Sequence, residues 1–172
     1  VLARSTESVE LTRSAAGVER LVVDLAGGSV EIRGTDRDEL RVEGEVVSGL
    51  TTTPHREEVE GERFLVTSAC AGGPLSTFCE VHHLIEVPSD LDVVVRSSDT
   101  DVTLVDLEGT LDVATSDGAV RGERLSGDEL LVDTSDAEVD LRAVRSPVVR
   151  ARTSDADLAI AFDEPVDDLE TI

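Results

Sequence analysis

The chain has 172 residues, with 38 Asp and Glu against 15 basic residues, and a formal net charge of −23. Such acidity excludes nucleic acid as a partner, because phosphate binding needs a basic face, and it disfavours anionic membrane surfaces. The chain is 40% apolar and can build one core, yet Trp and Tyr are absent and Phe occurs three times, so sugar-stacking platforms and aromatic ligand boxes are excluded too.

All of the basic residues are Arg, a bias that with the acidity points to GC-rich coding or a saline habitat. No apolar run reaches the roughly 18 residues of a membrane span. Val1 to Ser8 lack the basic-then-apolar order of a signal peptide, so the chain reads as a mature or trimmed fragment. From Leu21 to Gly34 (LVVDLAGGSVEIRG), Leu21, Val23, Val30 and Ile32 alternate on either side of a Gly27-Gly28 turn. ELRVEGEVV supplies another alternating strand through Leu40, Val42 and Val46. The polar stretch TTTPHREEVEG, residues 51–61, carries Pro54 and reads as a loop that includes His55. RFLVTSAC and VHHLIEVP follow as two strands, joined as a hairpin-like excursion that caps or flanks the first regular coil.

Between them, Cys70 and Cys79 lie nine positions apart across a Gly72-Gly73-Pro74 bend. A disulfide closing this loop would constrain the unfolded chain by roughly 2 to 3 kcal/mol and would place the domain outside the cytosol. Two buried thiols, or a metal site with the nearby histidines, are the alternatives. His82 and His83, adjacent on a strand, point to opposite sides and cannot both reach one ion. A Cys70/Cys79/His zinc site lacks the usual short ligand spacings. The histidines therefore read as ordinary strand and loop residues.

A repeat dominates residues 91–172. Ser-Asp recurs at 98/99, 116/117, 135/136 and 154/155, at spacings of 18, 19 and 19. Stacked on the Asp, Val93, Leu111, Leu130 and Val149 fill one column, and Val95, Val113, Val132 and Ala151 a second. Val102, Val120, Val139 and Leu158 fill a third. Leu104, Leu141 and Ile160 form a further column interrupted by Gly122, and Leu107, Leu125 and Val144 another that Asp163 breaks. Period-two alternation around a tight turn, repeated in register, predicts coils that must stack to bury their inner faces. The expected fold is all-β: a single-domain parallel β-helix, or β-solenoid, over residues 1–172. Its coils have about 19 residues, its first 90 residues are irregular and disulfide-bearing, and residues 91–172 are regular. The 26 valines suit a narrow bore. A β-sandwich with similarly spaced turns is the competing architecture. FDEPVDDLETI begins a fifth coil and stops before its turn, which predicts a domain running past Ile172, a disordered rung, or a partner pairing with the open end.

The order of an early GGSVEI turn, a cysteine excursion, VHHLIEVPSDLDVVV and tandem TSD-x-x-V coils resembles the putative-adhesin β-solenoid domain of bacterial envelope proteins over residues 18–172. In that family the turn is more often Ser-Gly-Asp or Ser-Asn-Gly-Asp; here Gly118 is the one turn glycine. The resemblance implies the architecture and an envelope location, and it brings no catalytic residue and no cofactor.

Asp99, Asp117, Asp136 and Asp155 should line one corner, with Asp101, Glu138 and Asp157 two positions on. Stacked carboxylates could attract a hard cation such as Ca²⁺, but the nine-residue Gly-rich repeat of calcium solenoids is missing. Asx and ST turns, in which these side chains bond their own backbone, are the favoured reading. Thr115, Thr134 and Thr153 make too narrow a ladder for an ice-binding face. The expectation is a non-enzymatic, extracytoplasmic contact or scaffolding module whose partner is a protein or glycan of the envelope, with edge-to-edge self-association available at the open end. The competing readings are a metal-dependent carbohydrate binder or polysaccharide-active enzyme using the Asp corner, and an envelope-stress sensor domain.

Overall fold

The computed structural model describes residues 5–48, 54–69 and 79–171. The strands, in chain order, are β1 (Ser5–Ser14), β2 (Arg20–Leu25), β3 (Gly28–Thr35), β4 (Glu39–Ser48), β5 (His55–Glu60), β6 (Arg63–Ser68), β7 (Cys79–Pro88) and β8 (Asp92–Ser97), then β9 (Thr100–Leu107), β10 (Leu111–Thr115), β11 (Val120–Leu125), β12 (Glu129–Thr134), β13 (Val139–Val144), β14 (Val148–Arg152), β15 (Leu158–Phe162) and β16 (Asp168–Thr171). The described residues contain no helix. They form two eight-stranded sheets, ordered β1-β4-β7-β3-β9-β11-β13-β15 and β16-β14-β12-β10-β8-β2-β6-β5.

From β8 onward successive strands alternate between the sheets, and each pairs in parallel with the strand two places on. The pairing holds the sequence repeat in register: Val93 faces Leu111, Leu111 faces Leu130, and Leu130 faces Val149. In the other sheet Val102, Val120, Val139 and Leu158 are partners in turn. Alternation at period two sends these side chains into the space between the sheets, where Val93, Leu111, Leu130, Val149, Val102, Val120 and Val139 are all fully buried.

The ladders run on into the irregular half. Val93 faces Leu21, and Leu21 faces Phe64; Val102 faces Val30. The chain thus lays β2 and β3 in the middle of the stack. It then places β6 and β7 on one side of them and β8 and β9 on the other. Antiparallel strands finish the β6/β7 side, with β4 and β1 beyond β7 and β5 beyond β6.

Two expectations need correction here. Residues 55–60 form a strand, not a loop, because His55, Glu57 and Val59 alternate toward the interior while Arg56, Glu58 and Glu60 face solvent. The excursion is not a hairpin of β6 with β7, since these lie in different sheets; the hairpin is β5 with β6. The expected Cys70–Cys79 bond lies outside the described residues.

The first three regular repeats each contain one residue in the left-handed region: Asp106 (φ 56°), Arg124 (φ 56°) and Ala143 (φ 52°). Here the inward step lengthens from two residues to three, from Leu104 to Leu107, Gly122 to Leu125 and Leu141 to Val144, as the extra residue of a bulge requires. Phe162 holds the corresponding place in the last repeat and is not among the left-handed residues. There the step stays at two, the register shifts, and Phe162 pairs with Val144. The column that Asp163 was expected to break is therefore continued by its neighbour, Phe162. At the following corner the backbones approach closely: a Cβ on Gly127 would lie 1.9 Å from the Gly109 carbonyl oxygen.

Candidate functional site

Asp99, Asp117, Asp136 and Asp155 occupy the turns β8–β9, β10–β11, β12–β13 and β14–β15, and all four are exposed. The turns are bound to one another through backbone. The Ser98 carbonyl accepts the N–H groups of Ser116 and Asp117 at 3.1 and 2.8 Å; Ser116 does the same for Ser135 and Asp136, and Ser135 for Ser154 and Asp155. The Thr115, Thr134 and Thr153 hydroxyls donate to those same carbonyls, at 3.3, 3.2 and 3.5 Å. Bonds within a single turn are fewer: Ser97 Oγ accepts from the Thr100 N–H and Thr115 Oγ1 from the Gly118 N–H. Thr115 and Thr134 are buried, so they form no surface ladder. Asp101, two places past the turn aspartate, accepts the Ala119 N–H at 2.9 Å, a bond between repeats. Among the described residues, no three carboxylates of this corner bring oxygen atoms within 4.8 Å of one another.

A convergence does occur at the other end of the stack. In β7, Val81, His83, Ile85 and Val87 face inward, while His82 faces out and meets Ser29 Oγ at 2.9 Å. The two histidines do point to opposite sides. His83 is 5% exposed and pairs in register with Val30, so an imidazole stands where Val102, Val120 and Val139 continue the ladder. Gly44, paired with His83 across β4 and β7, makes the room; a Cβ there would lie 2.9 Å from His83 Cδ2.

His55, from β5 in the opposite sheet, stacks on His83 with ring centroids 4.6 Å apart. Its Nε2 donates to Glu57 Oε1 at 2.6 Å. One donor atom from each of His55, Glu57 and His83 lies within 4.8 Å of the others. Both His83 nitrogens, His55 Nδ1 and the buried Ser68 hydroxyl have no hydrogen-bond partner among the described residues. Burial, then the charges of His55 and His82, push the His83 imidazole down to about 4, so it is neutral at pH 7 with a free lone pair. This cluster is not visible in the sequence, because Pro54 and the polar run around His55 read as a loop. The available signal was VHHLIEV itself, whose alternation puts His83 between the inward Val81 and Ile85.

No family model matches the chain, and no curated protein matches it in sequence. Solved structures do. A putative cell adhesion protein from Clostridium sporogenes superposes with a TM-score of 0.52 at 10% identity, over 99% of this chain and 100% of that one. A putative adhesin from Parabacteroides merdae gives 0.38 at 10% identity, over 98% and 96%. A putative lipid binding protein from Parabacteroides distasonis gives 0.32 at 7% identity, over 98% and 96%. The first of these shows a shared fold.

Proposed function

We propose that the chain is a β-solenoid module of the cell envelope that works by contact, as an adhesin-like binding or scaffolding element without chemistry of its own, and that it acts outside the cytoplasm. The observation that carries this reading is the in-register pairing of Val93, Leu111, Leu130 and Val149. Parallel stacking of like residues commits one side of the strands from β8 to β14 to an aliphatic interior. The outward side becomes rows of side chains repeated about every 4.8 Å, a surface suited to extended contact.

The outer face of the second sheet illustrates this: Leu65, Val22, Val94, Asp112, Leu131 and Arg150 form one row across six strands. Ion pairs tie neighbouring strands on these faces, as between Arg96 and Asp112 at 2.5 Å and Arg20 and Asp92 at 3.1 Å. Shared fold with a protein described as a putative cell adhesion protein supports the same reading.

The test is retention of the purified, labelled chain on cell-envelope fractions, with protein-stripped and glycan-stripped fractions alongside. Saturable binding to one of them is expected. Absence of saturable binding, or turnover of an acidic polysaccharide in the same assay, would overturn the reading.

A further inference from the structure

We propose that His55, Glu57 and His83 bind one divalent transition-metal ion, with zinc the best fit, and that the ion pins the edge strand β5 to the opposite sheet. The donor set is two imidazoles and a carboxylate, which suits zinc and its neighbours and not a hard cation such as Ca²⁺. Ligands of a tetrahedral zinc ion sit about 3.4 Å apart, given bonds of roughly 2.0 to 2.1 Å. The three donor atoms already lie within 4.8 Å, so small side-chain rotations close the site.

Burial supplies an independent argument. The His83 side chain is more than nine-tenths buried, and neither ring nitrogen has a partner among the described residues. An imidazole in an aliphatic ladder is a poor core residue unless something uses its lone pair. Gly44 lets β4 pass close to the ring: a Cβ there would lie 2.2 Å from the His82 carbonyl oxygen and 2.9 Å from His83 Cδ2. Glu57 offsets part of the ion's charge.

The arrangement also has a mechanical sense. Among the described strands, β5 pairs only with β6 and ends its sheet, and β7 belongs to the other sheet. An ion shared by His55, Glu57 and His83 would join the two walls where the aliphatic interior gives way to polar groups, among them the buried Ser48 and Ser68.

The experiment is titration of the chelator-treated full chain with Zn²⁺ alone against a chromophoric competitor, in the wild type, H55A, E57Q, H83V, H82A and the double variant D117N/D136N, with far-UV circular dichroism on each. About one equivalent is expected to bind, at least about tenfold more weakly in H55A, E57Q and H83V. Affinity should be unchanged in H82A and D117N/D136N, and Ca²⁺ should not compete. If H83V fails to fold, the β5 variants H55A and E57Q decide. No retained zinc in the wild type, equal binding in H55A and E57Q, or loss of binding in D117N/D136N would overturn the proposal.

Discussion

His83 faces Val30 in the parallel pairing of β7 with β3, an imidazole at the end of a ladder that continues through Val102, Val120, Val139 and Leu158. Without a ligand this is a destabilising choice, since a buried polar group with no partner costs about 1 to 3 kcal/mol. In chelator, H83V should therefore raise stability by about 1 kcal/mol, measured as a shift of the urea midpoint at constant slope. A lower midpoint would mean that the imidazole is satisfied in the metal-free protein.

The same residue sets a pH dependence. In the folded, metal-free protein, burial and then the nearby His55 and His82 hold His83 at about 4, against 6.5 for the free side chain. As pH falls through 6.5 the unfolded chain takes up the proton first, so stability is full above that pH and declines toward pH 4. The loss approaches about 3 kcal/mol, at about 1.4 kcal/mol per unit. Carboxylates also titrate near the lower limit, so the useful quantity is the difference between wild type and H83V, which should widen between pH 6.5 and 4. A constant difference would contradict the assignment.

Leu130 lies between Leu111 and Val149 in the interior, while Leu131 beside it points outward. Leu130→Ala should cost about 2 to 5 kcal/mol, and Leu131→Ala less than about 1 kcal/mol. Chemical denaturation of the two variants checks this. Equal losses would show that the strand's faces are assigned wrongly.

Ala143 has a φ of 52° at the bulge that Asp106 and Arg124 form in the preceding repeats. Asp106 and Arg124 are linked there by two hydrogen bonds, at 2.5 and 3.0 Å, and the bond from Arg124 holds the Asp106 carboxyl below the usual range. Ala143 has no such bond to lose. Ala143→Gly should be neutral or stabilising by up to about 1 kcal/mol, because glycine adopts this conformation freely, and Ala143→Val should be clearly destabilising. Thermal melts of both variants give the answer.

The regular repeats were legible because each inner position is aliphatic and each turn carries Ser-Asp, so period and register could be read together. β1 was not, since Val9 and Leu11 are its only apolar residues and it lies at a sheet edge, only partly covered. β5 was hidden for a related reason: two of its three inward residues, His55 and Glu57, are polar, and Pro54 precedes them. The place of Phe162 depended on a backbone conformation that side-chain patterning does not encode. Site residues were legible only in part. The turn aspartates were placed at the right corner, but the converging donors come from strands in opposite sheets, and no local spacing joins His55 to His83.

The stacking of interchangeable repeats is most directly tested by deleting one of them. Removing residues 117–135 joins Ser116 to Asp136 and leaves every column in step, so β10 would be followed by β13. The shortened chain should fold with the β-sheet circular dichroism of the parent and a single cooperative melt, whereas removal of residues 117–126 alone, which breaks the step, should not. An unfolded or aggregated product from the first deletion, or equal folding of both, would contradict the account.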